Sequence, residues 1–428
     1  MQLRYRFRLY PTPGQQAALA RAFGCARVVF NGAIAARREA YEAGKKMPTA
    51  SELCKLLVTE AKKTPERGWL ASVSAVVLQQ AFRDADQAYK NFFDSMSGKR
   101  AGRKVGAPRF KTRRDRRQAV RFTANARWSV TAGGKLRLPK IGDVPVQWSR
   151  ALPSAASSVT VIKDAAGRYF ASFVVDASPE SIETEAPEIG VDLGLGHFAV
   201  LSDGTKIKAP KFLRNAERKL KRAQRNLSRK QKDSNNRDKA RIKLARAHAR
   251  VADARREFHH QLSTQLIREN QAIAVEDLVV SGLARTRLAK SVHDAGWSAF
   301  VAMLEYKAAL YGRSVVRIDR FEPTSQVCSN CGTKDGPKPL HVRVWRCQEC
   351  GTHLDRDINA AVNVAKAAGL AVTACGAHVS PERVRAERGE AGTHRGDLAS
   401  AEPRAARRGR NHRPLRTGEE VNCCLSTL

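Results

Sequence analysis

The stretch that decides the fold begins TSQVCSNCG (324–332) and ends CQECGTHLDRDINAAVNV (347–364). Its cysteines are spaced C-x2-C-x15-C-x2-C, which lies within the range of zinc ribbons. Each C-x2-C turn directs two thiolates at one ion, and two turns complete a tetrahedral shell of sulfur ligands. We therefore predict a closed, structural zinc site at Cys328, Cys331, Cys347 and Cys350. The alternatives are two disulfides or four separate buried thiols.

The acidic residues that follow the second C-x2-C turn have two interpretations. Asp355 and Asp357 precede an alanine-rich apolar run, and carboxylates are favourable at the positive end of a helix. This local sequence alone favours an ordinary helix start. The second interpretation, a metal ligand, requires other acids of the chain to lie nearby.

The charge of the chain favours a nucleic-acid partner. Its 428 residues include 77 Lys and Arg and 41 Asp and Glu, so the formal net charge is 77 − 41 = +36. Such a surplus predicts binding to a polyanion, most plausibly the phosphates of nucleic acid. A membrane surface is the competing polyanion, but we find no apolar run of about 18 residues that could span a bilayer. The N-terminus also lacks the apolar core of a signal peptide, so we expect an intracellular protein.

The first 180 residues combine strand-like and helical patterns. Residues 2–9 alternate as a strand does, and apolar spacing predicts helices over about 13–43, 50–63 and 73–96. Residues 119–176 contain several short β-type runs separated by turns, which predict a small antiparallel barrel or sandwich.

Two stretches concentrate the positive charge. Residues 99–117 hold ten Lys or Arg and one acid, with Phe110 inside the run, which is typical of a nucleic-acid groove; the alternative is a solvated linker. Residues 211–257 hold 18 Lys or Arg and five acids, too few acids for a salt-bridged surface, and predict a helical hairpin against a phosphate backbone. The residues predicted to contact nucleic acid are Lys99, Arg100, Arg103, Lys104, Arg109, Lys111, Arg113, Arg114, Arg218, Lys219, Arg222 and Arg225.

Two predicted strands each carry an acid. Asp192 lies between Val191 and Leu193, where a carboxylate is costly to bury, so it either faces water or binds a cation. Glu276 ends the apolar run AIAVE, and its alternative is a surface position at a strand end. Together with Asp357 these acids would give three carboxylates on separate elements of one α/β unit. Such a set can bind two divalent ions about 4 Å apart.

In addition, the sequence resembles the TnpB (OrfB) family of insertion-sequence proteins, which are related to the type V CRISPR nucleases. The resemblance extends over about residues 1–370, in the order typical of the family. Besides 324–364, the matching stretches are RFRLYPTPGQ (6–15), RVVFNGAI (27–34), PRFK (108–111), IGVDLGLGHFAVLSDG (189–204) and AVEDLVVSGL (274–283).

The resemblance implies an α/β multidomain chain. It would contain a RuvC-like (RNase H-type) nuclease domain with an inserted zinc ribbon, and an N-terminal β-barrel interrupted by a helical lobe. The expected segments are the first strand of the barrel (wedge) domain at 1–10, the helical recognition lobe at 11–104, the remainder of the barrel at 105–180, the RuvC-like nuclease at 186–323 with a basic helical hairpin at 211–270, the zinc ribbon at 324–353, the last nuclease segment at 354–372 and a disordered basic tail at 376–428.

The resemblance also implies an activity, that of an RNA-guided, Mg2+-dependent DNA endonuclease in the cytoplasm and nucleoid of a prokaryote. The catalytic acids of the family, which bind magnesium, fall on Asp192, Glu276 and, in DRDINAA, on Asp357 in preference to Asp355, because Asp357 adjoins the Asn-Ala-Ala helix. The implied cofactors are structural Zn2+, catalytic Mg2+ and a guide RNA. The implied partners are guide RNA and double-stranded target DNA; a transposase of the same element and a second copy of the chain are further candidates.

Two other functions compete with this one. The first is a nucleic-acid-binding transposition accessory or regulator without cleavage activity, which the three intact acids disfavour. The second is a transposase that joins strands unaided, but we see no DNA-joining nucleophile such as the paired His and Tyr of the partner transposase.

Overall fold

The computed structural model describes residues 1–115, 117–182, 187–339, 341–370 and 421–422. The chain divides into two compact units; of the described residues, the first contains 1–178, 218–252 and 421–422, and the second contains 179–217 and 253–370. The predicted disordered tail, 376–428, lies outside the described residues except for the short strand Val421–Asn422.

The strands are β1 (Gln2–Leu9), β2 (Gln118–Thr123), β3 (Ser129–Val130), β4 (Leu136–Leu138), β5 (Gly142–Val144), β6 (Val146–Gln147), β7 (Ser158–Lys163), β8 (Tyr169–Asp176), β9 (Glu188–Leu193), β10 (His197–Leu201), β11 (Lys206–Lys208), β12 (Ala272–Glu276), β13 (Ser314–Ile318), β14 (Val344–Arg346), β15 (His353–Asp355) and β16 (Val421–Asn422). The α-helices are α1 (Pro13–Glu42), α2 (Ala50–Cys54), α3 (Ala75–Met96), α4 (Phe212–Ser228), α5 (Asn235–Glu269), α6 (Val280–Leu283), α7 (Ala289–Ala295), α8 (Trp297–Tyr311) and α9 (Arg356–Ala367). Shorter helical turns occupy Lys55–Glu60, Ala61–Lys63, Gly68–Ser72 and Ala124–Ala126.

In the first unit an antiparallel sheet packs with α1 and α3. Thr12 caps α1 in a capping box with Gln15, and Pro13 suits the first helical position because its missing N–H is not needed there. The sheet follows the order β16-β1-β8-β7-β2, and β6 also pairs with β1. Phe7, Phe122 and Phe173 are fully buried in the shared core.

The predicted N-terminal barrel is not confirmed, because within the described residues the sheet does not close. β2 pairs with β7 and ends the sheet, while β3, β4 and β5 form a separate three-stranded sheet. The strands that would have to bridge β2 back to β1 are only two or three residues long. Such short strands make too few ladder hydrogen bonds to continue the sheet around its edge.

Helix α1 differs from one expectation drawn from the sequence. We found no apolar run in the sequence long enough to span a bilayer. By length and composition alone, however, α1 could cross a membrane. More than half of its apolar window is buried inside the protein. Leu19, Phe23, Val29 and Ile34 all lie in the core of the first unit, which accounts for the apolar composition.

The second unit is built on a five-stranded mixed sheet in the order β11-β10-β9-β12-β13. β9, β10 and β11 are successive antiparallel strands, whereas β12 is parallel to both β9 and β13. A mixed sheet with helices packed against it agrees with the α/β class expected for this part of the chain. One layer of its core combines residues of the sheet with α8 and the end of α5, including Val191, Ile273, Leu266 and Phe300.

Helix α9 covers the β9 strand at unusually short range. A Cβ added to Gly190 in β9 would lie 2.1 Å from the carbonyl oxygen of Ala361 and 2.7 Å from the backbone nitrogen of Ala365. The alanines of α9 and the glycine of β9 therefore allow two backbones to touch. This contact sets where the N-terminal end of α9 lies over the sheet.

Candidate active site and metal centre

Asp192 and Glu276 lie at equivalent positions on neighbouring parallel strands. The register pairs Val191 of β9 with Val275 of β12, so the next residue of each strand is one of the two acids. Adjacent strands run about 4.8 Å apart. Side chains alternate along a strand, and Gly190, two residues before Asp192, faces α9, so Asp192 points to the α9 side as well.

Glu276 points to the same side by the same argument. Ala274, two residues before it, is buried with Val364 of α9. The hydroxyl of Thr324 donates a hydrogen bond to the Glu276 carboxylate over 2.7 Å. The neighbouring Asp277 is instead held by Arg317 and Arg320, as expected for a surface ion pair.

The two acids at the start of α9 have different partners. The Asp355 carboxylate accepts from the backbone N–H groups of Asp357 and Ile358, both over 3.1 Å, and is the N-cap of the helix. Its other oxygen pairs with Lys206 over 2.5 Å. Asp357 is not engaged in capping, which supports our choice of Asp357 over Asp355 as the third acid.

Asp357 is flanked by two nitrogen groups. Arg343 Nη1 donates to its two carboxylate oxygens over 3.1 and 3.4 Å, and His197 Nδ1 lies 3.9 Å from Oδ2. The Arg343 side chain remains 61% exposed, so its guanidinium screens Asp357 from the solvent side without enclosing it.

The three acids share one electrostatic environment. Burial, together with the charges of Glu276 and Asp357, raises the pKa of Asp192 from its ordinary 3.8 to about 7, against the opposing charges of Arg356 and Arg343. A carboxyl that is disfavoured as an anion, beside two other carboxyls, marks a place that a divalent cation would stabilise. The donor set, oxygen atoms only, suits Mg2+.

The carboxylates are not gathered as tightly as the thiols of the ribbon. Within the described ranges, the four cysteines are the one group of three or more candidate ligands whose donor atoms all lie within 4.8 Å of one another. Glu276 is turned to Thr324 and Asp357 to Arg343, as expected for like charges that repel.

The raised pKa gives a prediction for the metal-free protein. Because the folded state keeps the Asp192 proton to about pH 7 and the unfolded chain releases it near pH 4, stability should fall as the pH rises through this window. The loss should be roughly 2–4 kcal/mol. Thermal unfolding in EDTA at pH 5 and pH 8 measures it. Asp192→Asn removes the titrating group and should flatten the difference; an equal pH dependence in both proteins would contradict the assignment.

The four cysteines fit a tetrahedral metal ion. The sulfur atoms of Cys328 and Cys350 lie 3.7 Å apart, as do those of Cys331 and Cys347. Zn–S bonds of about 2.3 Å in a tetrahedron place sulfurs about 3.8 Å apart, whereas a disulfide requires about 2.05 Å. Gly332 and Gly351 follow the two turns with φ of +79° and +72°, a conformation that glycine adopts without strain.

Local hydrogen bonds prepare two of these thiols as anions. The hydroxyl and the backbone N–H of Thr352, together with the Asn330 amide, lower the pKa of Cys350 to about 5, and the hydroxyl and backbone N–H of Thr333 lower the pKa of Cys331. Burial acts in the opposite direction on Cys328 and raises its pKa to about 12. A zinc ion would remove that proton as well, since coordinated thiols are deprotonated.

Loss of one thiol should therefore release the metal. Cys347→Ser removes a buried ligand, and zinc content is expected to fall from one ion per chain to nearly none, because three ligands hold structural zinc poorly. Elemental analysis measures the zinc, and limited proteolysis of the ribbon measures its folding. Cys54→Ser is the control, since this half-buried thiol lies outside the cluster. Full zinc occupancy in Cys347→Ser would refute the site.

The residues predicted to contact nucleic acid lie on two surfaces of the chain. Lys99, Arg100, Arg103, Lys104, Arg109, Lys111, Arg113 and Arg114 lie in the exposed segment between α3 and β2. Arg218, Lys219, Arg222 and Arg225 are exposed on α4.

Hydrogen bonds from α1 hold the backbone of the basic segment between α3 and β2, whereas a solvated linker would lack such contacts. Asn31 of α1 exchanges two hydrogen bonds with the backbone of Lys111, over 2.9 and 2.8 Å. Arg38 donates to the carbonyl of Pro108 over 3.1 Å, and its guanidinium lies 4.8 Å from the Phe110 ring. Holding the backbone in place keeps the exposed cations at a defined surface.

Sequence patterns did not identify four polar residues that lie around the three candidate catalytic acids. Thr324, Asn359 and Asn363 are buried, and Arg343 contacts Asp357. The two asparagines are spaced i, i+4 in NAAVN, a spacing that puts both on one helix face. That spacing, within an otherwise apolar helix, was the signal available in the sequence.

The chain is similar to several known proteins. Residues 172–287 match a family model described as "Probable transposase" (OrfB_IS605), and residues 297–364 match a "Cas12f1-like, TNB domain". Residues 1–46 match a "Helix-turn-helix domain", although here they form β1 and the single long helix α1.

Two curated relatives cover nearly the whole chain. One, from Streptomyces pristinaespiralis, is named "Putative RNA-guided DNA endonuclease" and is 41% identical over 89% of this chain and 92% of its own. Another, InsQ of Escherichia coli (strain K12), carries the same description and is 32% identical over 89% of this chain and 95% of its own. A solved Cas12f1-sgRNA-target DNA complex aligns with a TM-score of 0.49 at 14% identity, over 82% of each chain.

Proposed function

Since the chain belongs to the TnpB (OrfB) family of RNA-guided DNA endonucleases, we propose that a guide RNA directs it to DNA, which it hydrolyses in an active site formed by Asp192, Glu276 and Asp357. The observation that carries the assignment of the site is the electrostatic coupling of three carboxyls, of which two lie near the C-terminal ends of β9 and β12 and the third lies in the first turn of α9. Burial and the charges of Glu276 and Asp357 raise the pKa of Asp192 on β9 to about 7, and a bound cation would lower it again.

The chain's own residues contribute placement and charge. Asp192, Glu276 and Asp357 would hold Mg2+, with Asp192 and Glu276 on rigid strands and Asp357 in the first turn of α9. Bound Mg2+ supplies an activated water and stabilisation of the leaving oxygen in phosphodiester hydrolysis. Thr324 orients Glu276, and Arg343 offsets the charge of Asp357.

The basic surfaces would supply nucleic-acid binding. The exposed cations of residues 99–114 and of α4 suit backbone contacts, which are independent of sequence. Base pairing with the guide would then carry most sequence information, and the protein would read a short flanking motif. Insertion-sequence DNA lies in the prokaryotic nucleoid, so we place the activity in the cytoplasm.

The test is whether a change in the guide RNA sequence changes the DNA site that is cleaved. The protein is co-expressed with the end of its element, the co-purified RNA is sequenced, and cleavage of a plasmid that carries a matching target is measured with Mg2+ and with EDTA. We expect Mg2+-dependent cleavage that follows the guide when its sequence is exchanged. If the protein binds RNA and DNA but does not cleave, the alternative function, a nucleic-acid-binding transposition accessory or regulator, is favoured instead.

A further inference from the structure

We propose that Thr324 is a positioning residue that couples the first C-x2-C turn of the zinc ribbon to the Mg2+-binding carboxylate of Glu276. The inference rests on the proposed function, in which Glu276 is a Mg2+ ligand. Its consequence is that an intact ribbon is required for full Mg2+ affinity, in addition to any contact the ribbon makes with nucleic acid.

The first link is the hydrogen bond between Thr324 and Glu276. Thr324 is only 6% exposed, and its hydroxyl has a single proton, which is donated to Glu276 over 2.7 Å. In the part of the chain that the structure describes, this is the one hydrogen bond of the Glu276 carboxylate. A glutamate at a strand end has three rotatable bonds, so this contact decides where its oxygens point.

The second link holds Thr324 itself in place. Its carbonyl oxygen accepts from Asn363 Nδ2 over 2.8 Å and from Asn359 Nδ2 over 3.3 Å. Both asparagines are buried in α9, one helical turn apart. The helix that carries Asp357 therefore also fixes the residue that orients Glu276.

The third link reaches the metal-binding turn. The same two side-chain amides donate to the carbonyl of Val327 over 2.8 and 2.7 Å, and Asn359 Oδ1 accepts from the N–H of Ser329 over 2.8 Å. Val327 and Ser329 flank Cys328, whose side chain is fully buried in the ribbon core. Residues 324–329 thus form one hydrogen-bonded strap between Glu276 and a zinc ligand.

The network predicts a defect in metal affinity rather than in folding. Groups that orient a metal ligand typically contribute 10- to 100-fold in metal affinity or activity. Thr324→Val keeps the shape and the backbone contacts but removes the donor. We expect it to raise the Mg2+ concentration for half-maximal cleavage about 10- to 100-fold, with unchanged zinc content and guide-RNA binding.

Thr324→Ser is the matched control, because it restores the hydroxyl. Three quantities are compared in wild type, Val and Ser: the Mg2+ dependence of cleavage, Mn2+ binding to the RNA-loaded protein without DNA by electron paramagnetic resonance, and zinc content. We expect Ser to recover most of the metal affinity that Val loses. The proposal would be overturned if Thr324→Val bound Mn2+ as tightly as the wild type, or if Thr324→Val and Thr324→Ser lost the same amount of Mn2+ affinity.

Zinc removal is a second measurement that needs no variant. A chelator that strips the ribbon should weaken Mn2+ binding to the wild-type protein, because the strap loses its anchor at Cys328. Unchanged Mn2+ affinity after complete zinc loss would also overturn the coupling. Asp192→Asn separates the two hypotheses: if it remains active, the proposed function fails, whereas if it is inactive and Thr324→Val behaves as wild type, only the coupling fails.

Discussion

Replacing Asp192 by asparagine is expected to lower the rate of DNA cleavage by about a thousandfold or more while guide RNA and target DNA stay bound. Asp192 interacts electrostatically with both Glu276 and Asp357, so an amide in its place should cost several kcal/mol of metal-assisted stabilisation. Binding should persist because it depends on cations elsewhere in the chain. Single-turnover cleavage and filter binding measure the two effects separately.

The same hairpin and helix offer matched controls for that variant. Asp203 caps the turn after β10 by accepting from Thr205 over 2.8 Å, and asparagine can accept equally, so Asp203→Asn should cleave at the wild-type rate. Asp355→Asn should also retain most activity, since asparagine is as good an N-cap as aspartate, whereas Asp357→Asn should not. Cleavage by Asp192→Asn within tenfold of wild type would exclude Asp192 as a catalytic ligand.

Gly190→Ala is expected to have the second largest effect, by separating α9 from the sheet. The added carbon would lie 2.1 Å from a carbonyl oxygen of α9 and 2.7 Å from one of its backbone nitrogens. Backbone atoms cannot rotate away as a side chain can, so the whole helix must shift. Overpacking usually costs about 1–3 kcal/mol, and we expect a value at or above the upper end. Cleavage should fall as well, because α9 carries Asp357.

Gly196→Ala, six residues along the same hairpin, is the control. A Cβ at position 196 meets no atom within 4 Å, so this variant should melt and cleave as wild type does. Thermal unfolding, soluble yield and cleavage rate are compared for the two alanine variants. A Gly190→Ala protein with an unchanged melting temperature would mean that the contact between α9 and β9 is looser than the structure indicates.

The parts of this architecture that sequence could predict have short-range or stereotyped causes. The cysteine spacing predicts a cluster because two tight turns determine most of its geometry, and the sulfur distances agree. The N-terminal barrel is not confirmed in the described residues, because closure depends on how strands of two or three residues pair over long separations, which local patterns do not encode.

For the acids, the sequence indicated the residue types but not their surroundings. Apolar strands that carry Asp192 and Glu276 are visible in the sequence, whereas their equal register on parallel strands depends on tertiary pairing. The sequence already favoured Asp357 over Asp355, but the capping role of Asp355 is visible only in the structure. Thr324 could not be identified, because a threonine before a cysteine turn has no distinctive pattern until its partner is known.

The position of α9 in the chain has a consequence for synthesis. Helix α9 follows the ribbon along the chain, packs against β9 and carries Asp357. Its asparagines also form hydrogen bonds with residues 324–329. A nascent polypeptide halted on the ribosome before residue 356 therefore has two of the three acids and lacks the helix that holds residues 324–329. The proposed site is therefore complete only after the segment that follows the ribbon has been synthesised.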